Sequence, residues 1–122
     1  MTEKEANQIP IQSLAYLGDA VMEVMVRALL VTDGKGKIHE RAAEYVTAAA
    51  QSAASERLTE DFTEREADIY KRGRNSTHTS PKSATHAQYS RATGVECVFG
   101  YLHLTGQTER MEELFKIAYP GE

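Results

Sequence analysis

Apolar side chains recur at every third or fourth position along most of this chain, and this spacing constrains the fold more than any other feature. The clearest example lies between Ile11 and Leu29, where the apolar positions trace one face of a helix. β-Branched residues never alternate with polar residues over a useful length, so no strand is predicted. The sequence therefore predicts an all-α protein.

Five main helices are predicted, at residues 10–31, 37–58, 63–73, 85–104 and 109–118. Pro10 suits a first helical turn, and Thr63 followed by Glu66 forms a capping box at the start of the third helix. Gly73 is the expected end of that helix. The Ser/Thr-rich residues 75–84, which include Pro81, are predicted to form a loop. The 122 residues are expected to form a single domain with one core.

The charge of the chain is unevenly distributed. The formal net charge is −4, which by itself argues against bulk electrostatic binding to nucleic acid. Residues 71–95, however, contain no Asp or Glu, and they carry several cations: Lys71, Arg72, Arg74, Lys82 and Arg91, with His78 and His86. Such a segment gives a local positive surface suited to phosphates, although a solvated basic loop would have the same composition.

Two features bear on cellular location. The apolar stretches are short and interrupted by charge, so no membrane segment is predicted, and the first five residues are polar, unlike a secretory leader. The single cysteine, Cys97, cannot form an internal disulfide. A cytoplasmic location is expected.

Two carboxylates, Asp19 and Glu96, lie within apolar stretches of predicted helices. A buried carboxylate is costly unless it is paired, hydrogen-bonded or bound to a metal. Gly18 and Gly100 lie close to these acids, and each costs its helix about 1 kcal/mol relative to alanine. We expect the two helices to cross closely at the glycines and so to bring the two acids to one site.

Such a pair of acids suits a hard cation such as Mg²⁺, which takes oxygen ligands and retains several waters. Pairing of the carboxylates with Arg27 or Arg91 is an equally open alternative at this point. Glu23, one turn after Asp19, is a candidate third ligand, although an exposed or interface glutamate explains it more simply.

Residues 14–21, Leu-Ala-Tyr-Leu-Gly-Asp-Ala-Val, resemble the signature helix of the ribonuclease III catalytic domain. Residues 95–100, Val-Glu-Cys-Val-Phe-Gly, resemble the second acidic helix of that family. Residues 71–75, together with Pro81 and Lys82, are similar to the Mini-III branch, which has the catalytic domain without a separate double-stranded-RNA-binding domain. The resemblance extends from about residue 9 to residue 104.

The resemblance implies a metal-dependent endoribonuclease. Asp19 and Glu96 match the metal-associated acids of the family, so they are the expected catalytic and metal-binding residues, with Mg²⁺ as cofactor and Mn²⁺ as a substitute. Ala15 and Thr93 occupy positions where the larger relatives carry further acids. These departures favour the Mini-III branch and leave open how many ions bind.

The resemblance also implies a homodimer acting on double-stranded RNA, with the precursor of large-subunit (23S) ribosomal RNA as substrate and with 5′-phosphate and 3′-hydroxyl product ends. Expected RNA contacts are Lys71, Arg72, Arg74, Asn75 and Lys82, with Tyr89 and Arg91 less strongly indicated.

Two other functions remain open. The absence of acids at Ala15 and Thr93 would also suit a non-catalytic module that binds structured RNA or a ribosome. An all-helical dimer or metal protein unrelated to RNA is the third reading, but the histidines at 39, 78, 86 and 103 lack zinc-like spacing.

Overall fold

A computed structural model describes residues 1–77 and 85–120. Within these ranges the chain forms seven α-helices and no strand, as the helical periodicity predicts. The helices are α1 (Glu3–Asn7), α2 (Ile11–Thr32), α3 (Ile38–Val46), α4 (Ala48–Leu58), α5 (Glu64–Asn75), α6 (His86–Leu104) and α7 (Thr108–Ala118).

Helix α6 is the central element, because eleven of its nineteen residues are buried. Helices α2, α5 and α4 pack around it, and α7 closes the side formed by α4 and α6. The core between α2 and α6 is built from fully buried aliphatic and aromatic side chains, among them Leu14, Met22, Val26, Leu30, Val95, Val98, Phe99 and Leu102. A helix buried on nearly all sides can hold a polar side chain in a fixed position, which is what a functional site requires.

The prediction of one helix over residues 37–58 was wrong. At Thr47 the backbone is extended, with φ −68° and ψ 155°, and the chain divides into α3 and α4. The Thr47 hydroxyl accepts a hydrogen bond from the backbone N–H of Ala50 and so caps α4. A threonine side chain that caps a helix competes with continuous helix at the same position, and the alanine-rich pattern around it conceals the break.

The predicted end of the third helix at Gly73 was also wrong, because α5 continues to Asn75. Gly73 instead permits close packing: a Cβ there would lie 2.7 Å from Cys97 Sγ and 3.0 Å from Gly94 Cα. The loop predicted from residue 75 therefore begins after Asn75, and Pro81 and Lys82 lie outside the described residues. Short α1, which begins with a capping box between Thr2 and Glu5, was missed.

Other boundaries agree with prediction. The capping box of Thr63 and Glu66 begins α5, and Thr85 caps α6. Among the residues described, no helix has the length and apolar character needed to span a membrane.

Candidate functional site

Helices α2 and α6 cross with their backbones in contact at two glycines. A Cβ on Gly18 would lie 1.7 Å from the carbonyl oxygen of Glu96, and a Cβ on Gly100 would lie 2.2 Å from that of Leu14. Both distances are far below van der Waals contact, so only glycine permits this crossing. The close crossing expected from the glycines is therefore confirmed.

This crossing places Asp19 and Glu96 on one cleft of about 510 Å³. Asp19 is exposed on α2, whereas Glu96 is half-buried on α6. The other described residues that line it are neutral: Gln12, Ala15, Tyr16, Ser76, Thr77, Tyr89 and Thr93. The cleft is therefore acidic, with hydroxyl and amide groups around the two carboxyls.

Burial, a hydrogen bond with Asp19 and the charge of Asp19, in that order of size, together raise the pKa of Glu96 from 4.5 to about 8. Without a cation, the Glu96 carboxyl therefore retains its proton at neutral pH. A divalent cation would replace that proton and relieve the same repulsion. The two oxygen donors thus fit a hard ion such as Mg²⁺.

Only two acids form this donor set. Across residues 1–77 and 85–120, no three His, Cys, Asp or Glu side chains converge on a point where they could hold an ion. Ala15 and Thr93 line the cleft beside the acids, and the Thr93 hydroxyl donates to the backbone carbonyl of Tyr89, 3.0 Å away. A cation bound here would therefore take most of its ligands from water or substrate.

The alternative of arginine pairing is resolved by the geometry. Arg27 forms an ion pair of 2.8 Å with Glu23 on the surface of α2. Arg91 donates to Ser52 Oγ over 3.3 Å and lies 3.9 Å from Glu56. Neither arginine pairs with the acids of the cleft. Glu23 lines a different groove, between α2 and α3, rather than the acidic cleft.

The four described residues that are expected to contact RNA do not form one cluster. Lys71 lies beside Asp68 and Arg65, and Arg72 donates to Asn7 Oδ1 over 3.0 Å and lies 3.7 Å from Asp68. Arg74 and Asn75 line another cleft, next to the acidic one. Lys82 lies outside the described residues.

Four residues of the acidic cleft were not singled out from the sequence. Gln12 and Tyr16 lie seven and three residues before Asp19, which places them on the same side of a helix as Asp19. This spacing could have identified both residues from the sequence. Tyr16 is 86% exposed, unusually high for an aromatic side chain. Ser76 and Thr77 enter through the packing of α5 on α6, which no local pattern indicates.

Comparison with known proteins gives consistent results. Residues 12–107 match the family model of the ribonuclease III domain. A protein of Symbiobacterium thermophilum named Mini-ribonuclease 3 is 44% identical over 114 residues, covering 90% of this chain and 88% of the relative. The protein of the same name from Enterococcus faecalis is 46% identical, covering 84% of this chain and 82% of the relative.

The fold also matches a solved structure. A crystal structure of a Fusobacterium nucleatum protein superposes with a TM-score of 0.85 at 28% identity, covering 93% of this chain and 96% of that one.

Proposed function

Since this chain belongs to the Mini-III branch of the ribonuclease III family and is an endoribonuclease, we propose that it cleaves double-stranded RNA with Mg²⁺ held by Asp19 and Glu96. The observation that supports this proposal best is the convergence of the two carboxyls on one cleft at the glycine crossing. Mn²⁺, which also accepts oxygen ligands, is the expected substitute.

Five residues of the cleft have a proposed role. Asp19 and Glu96 bind the cation, which when bound would offset the negative charge that develops on the phosphate. Tyr16, Ser76 and Thr77 supply hydroxyl groups that can donate to phosphate oxygens or to a 2′-hydroxyl. Water adds to phosphorus and the 3′-oxygen leaves with a proton, so the products carry 5′-phosphate and 3′-hydroxyl ends.

We further propose a homodimer, formed through the outer face of α2. This face carries apolar side chains left in solvent, with Val24 66% and Val31 65% exposed, and Ile38 of α3 beside it at 42%. Apolar-lined depressions flank this face on both sides. A second copy would cover this patch, and sedimentation equilibrium should show a dimer that Val24→Glu converts to a monomer. A monomeric wild type would rule out this arrangement.

The proposed substrate within double-stranded RNA is the precursor of 23S ribosomal RNA, processed in the cytoplasm. This follows from membership of the Mini-III branch rather than from any feature of the cleft. Incubation of precursor transcripts with the enzyme should release a paired terminal stem, and an intact stem would refute this assignment.

The proposal is tested by cleavage of a long RNA duplex. We expect wild-type enzyme with Mg²⁺ to produce 5′-phosphate ends, and Asp19→Asn and Glu96→Gln to lose at least about 100-fold in rate, since each removes half of the cation's protein ligands. Glu112→Gln, at an exposed position of α7, is the matched control and should retain full activity. Full activity in either cleft variant would refute the proposal, and metal-independent binding without turnover would favour a non-catalytic RNA-binding module.

A further inference from the structure

A second cleft, of about 410 Å³, adjoins the acidic one. Its lining comes from the end of α5, the residues just after it and the first turns of α6: Arg74, Asn75, Thr77, His86, Ser90 and Arg91, with Ala87. Thr77 lines both clefts and so forms part of the wall between them. We call this the basic cleft, because its described lining includes two arginines and a histidine but no acidic side chain.

Both arginines of the basic cleft keep donors available for a ligand. The Arg74 guanidinium lies over the ring of Tyr70, 5.7 Å from its centroid, which orients the side chain without using its N–H groups. Arg91 uses one nitrogen toward Ser52 and exposed Glu56. A guanidinium has five N–H donors, so most of them are not used by the residues that the structure describes and can meet phosphate oxygens.

Hydroxyl contacts fix the wall between the two clefts. Thr77 Oγ1 donates to the carbonyl of Arg74 over 3.2 Å and lies 2.5 Å from Ser90 Oγ. Ser90 Oγ in turn lies 3.4 Å from His86 Nε2. These contacts join the end of α5 to the first turns of α6, so the donors of the basic cleft are held in place before a ligand arrives.

The separation of charge between the two clefts keeps the arginines from pairing with the acids. Among the residues that the structure describes, no Lys, Arg or His lines the acidic cleft. A cation there would pair with Asp19 or Glu96 and compete with Mg²⁺ for the carboxyls. Placed beyond Thr77, the arginines attract phosphate without neutralising the acids.

We propose that the basic cleft binds one backbone phosphate of the RNA, close along the strand to the phosphate that is cut. This inference rests on the proposed function. It places His86, Ser90 and Arg91 beside Arg74 and Asn75 in one defined subsite. The first turns of α6 precede Glu96 by five to ten residues, which corresponds to about 7–15 Å along the helix, a few nucleotides of a strand.

The test compares two double variants of equal charge. Arg74→Gln with Arg91→Gln removes the subsite, and Lys4→Gln with Lys116→Gln removes two exposed cations from α1 and α7. Affinity for an RNA duplex is measured against salt concentration without divalent metal. We expect the subsite variant to lower the slope of log Kd against log salt by about 1–2 and to weaken binding about tenfold or more, because fewer counterions are released.

The control variant, Lys4→Gln with Lys116→Gln, should leave the slope unchanged. Arg74→Lys with Arg91→Lys keeps both positive charges and should retain most of the wild-type slope. A subsite variant that folds, by circular dichroism, yet has the wild-type slope and affinity would overturn the proposal. Because the measurement needs no cleavage, failure of the proposed function would appear separately, as wild-type enzyme that binds the duplex but does not cut it with Mg²⁺.

A second arm distinguishes RNA from free phosphate. Inorganic phosphate and a short RNA duplex are each titrated into labelled protein, and the backbone amides of Thr77, His86 and Ser90 are followed by NMR. Shifts at these amides with the duplex, lost in the subsite variant, would support the proposal. Shifts with inorganic phosphate combined with an unchanged salt slope for RNA would overturn it, because the cleft would then be a site for the free anion.

Discussion

The proposed chemistry of this protein rests on two side chains with unlike surroundings. Asp19 faces solvent, whereas Glu96 is half-buried on the central helix, and burial together with Asp19 raises its pKa to about 8. The chain supports this costly arrangement with glycine at the point of contact rather than with a neutralising arginine. A carboxyl pair that has no counter-ion among the described residues can bind one from solution.

The raised pKa of Glu96 predicts a specific pH dependence of stability. The folded state binds this proton more tightly than the unfolded state, whose pKa is near 4.5, so the stabilisation is complete below that value and is lost as pH rises toward about 8. In urea unfolding without metal, the wild type should lose stability between pH 5 and pH 8 relative to Glu96→Gln. Near pH 8, adding Mg²⁺ should restore the stability of the wild type but should not change that of Glu96→Gln. Parallel pH profiles for the two proteins would contradict this explanation.

At the scale of elements, local chemistry predicted some helix limits and missed others. The capping box at Thr63 and the cap at Thr85 are local signals, and both begin helices as predicted. The break at Thr47 was hidden because alanines on both sides favour helix equally. Gly73 resembles a helix end in sequence, yet its lack of a side chain serves a contact with Cys97 and Gly94, which only the packed structure reveals.

In the candidate site too, some features could be predicted from the local sequence and others depend on tertiary packing. Asp19 and Glu96 could be identified because an acid in an apolar helix is anomalous wherever it occurs. Their convergence could be inferred from Gly18 and Gly100. The contribution of Thr77 to the cleft could not be inferred from the sequence, since it depends on how the end of α5 packs against α6.

Gly18 tests the importance of the helix crossing. A Cβ at this position would lie 1.7 Å from a backbone oxygen of α6, which no side-chain rearrangement can relieve. Gly18→Ala should therefore destabilise the protein by about 3 kcal/mol or more, despite the better helix propensity of alanine. Gly36→Ala, at a position with open space and no unusual φ, is the matched control and should change stability by no more than about 0.5 kcal/mol. Equal unfolding free energies for the two variants by urea titration would show that the helices are not in contact here.

At the scale of the whole molecule, three surfaces meet around α2, α5 and α6. The acidic cleft lies between α2 and α6, and the basic cleft lies beyond Thr77. The exposed apolar face of α2 begins near Tyr16, at the edge of the acidic cleft, and continues through Val24 and Val31. In the proposed dimer, pairing through α2 would bring the two acidic clefts near the same interface, an arrangement suited to the two strands of a duplex.

The central claim is that Asp19 and Glu96 hold one site for a divalent cation, and crystals grown with Mn²⁺ test it most directly. An anomalous difference map should show a peak about 2.1 Å from carboxylate oxygens of both residues, as for an octahedral ion of this size, with water completing its ligands. Glu96→Gln crystals should show a weaker peak or none. A cleft without a peak at Mn²⁺ concentrations that support cleavage, or an ion held by other residues, would contradict the claim.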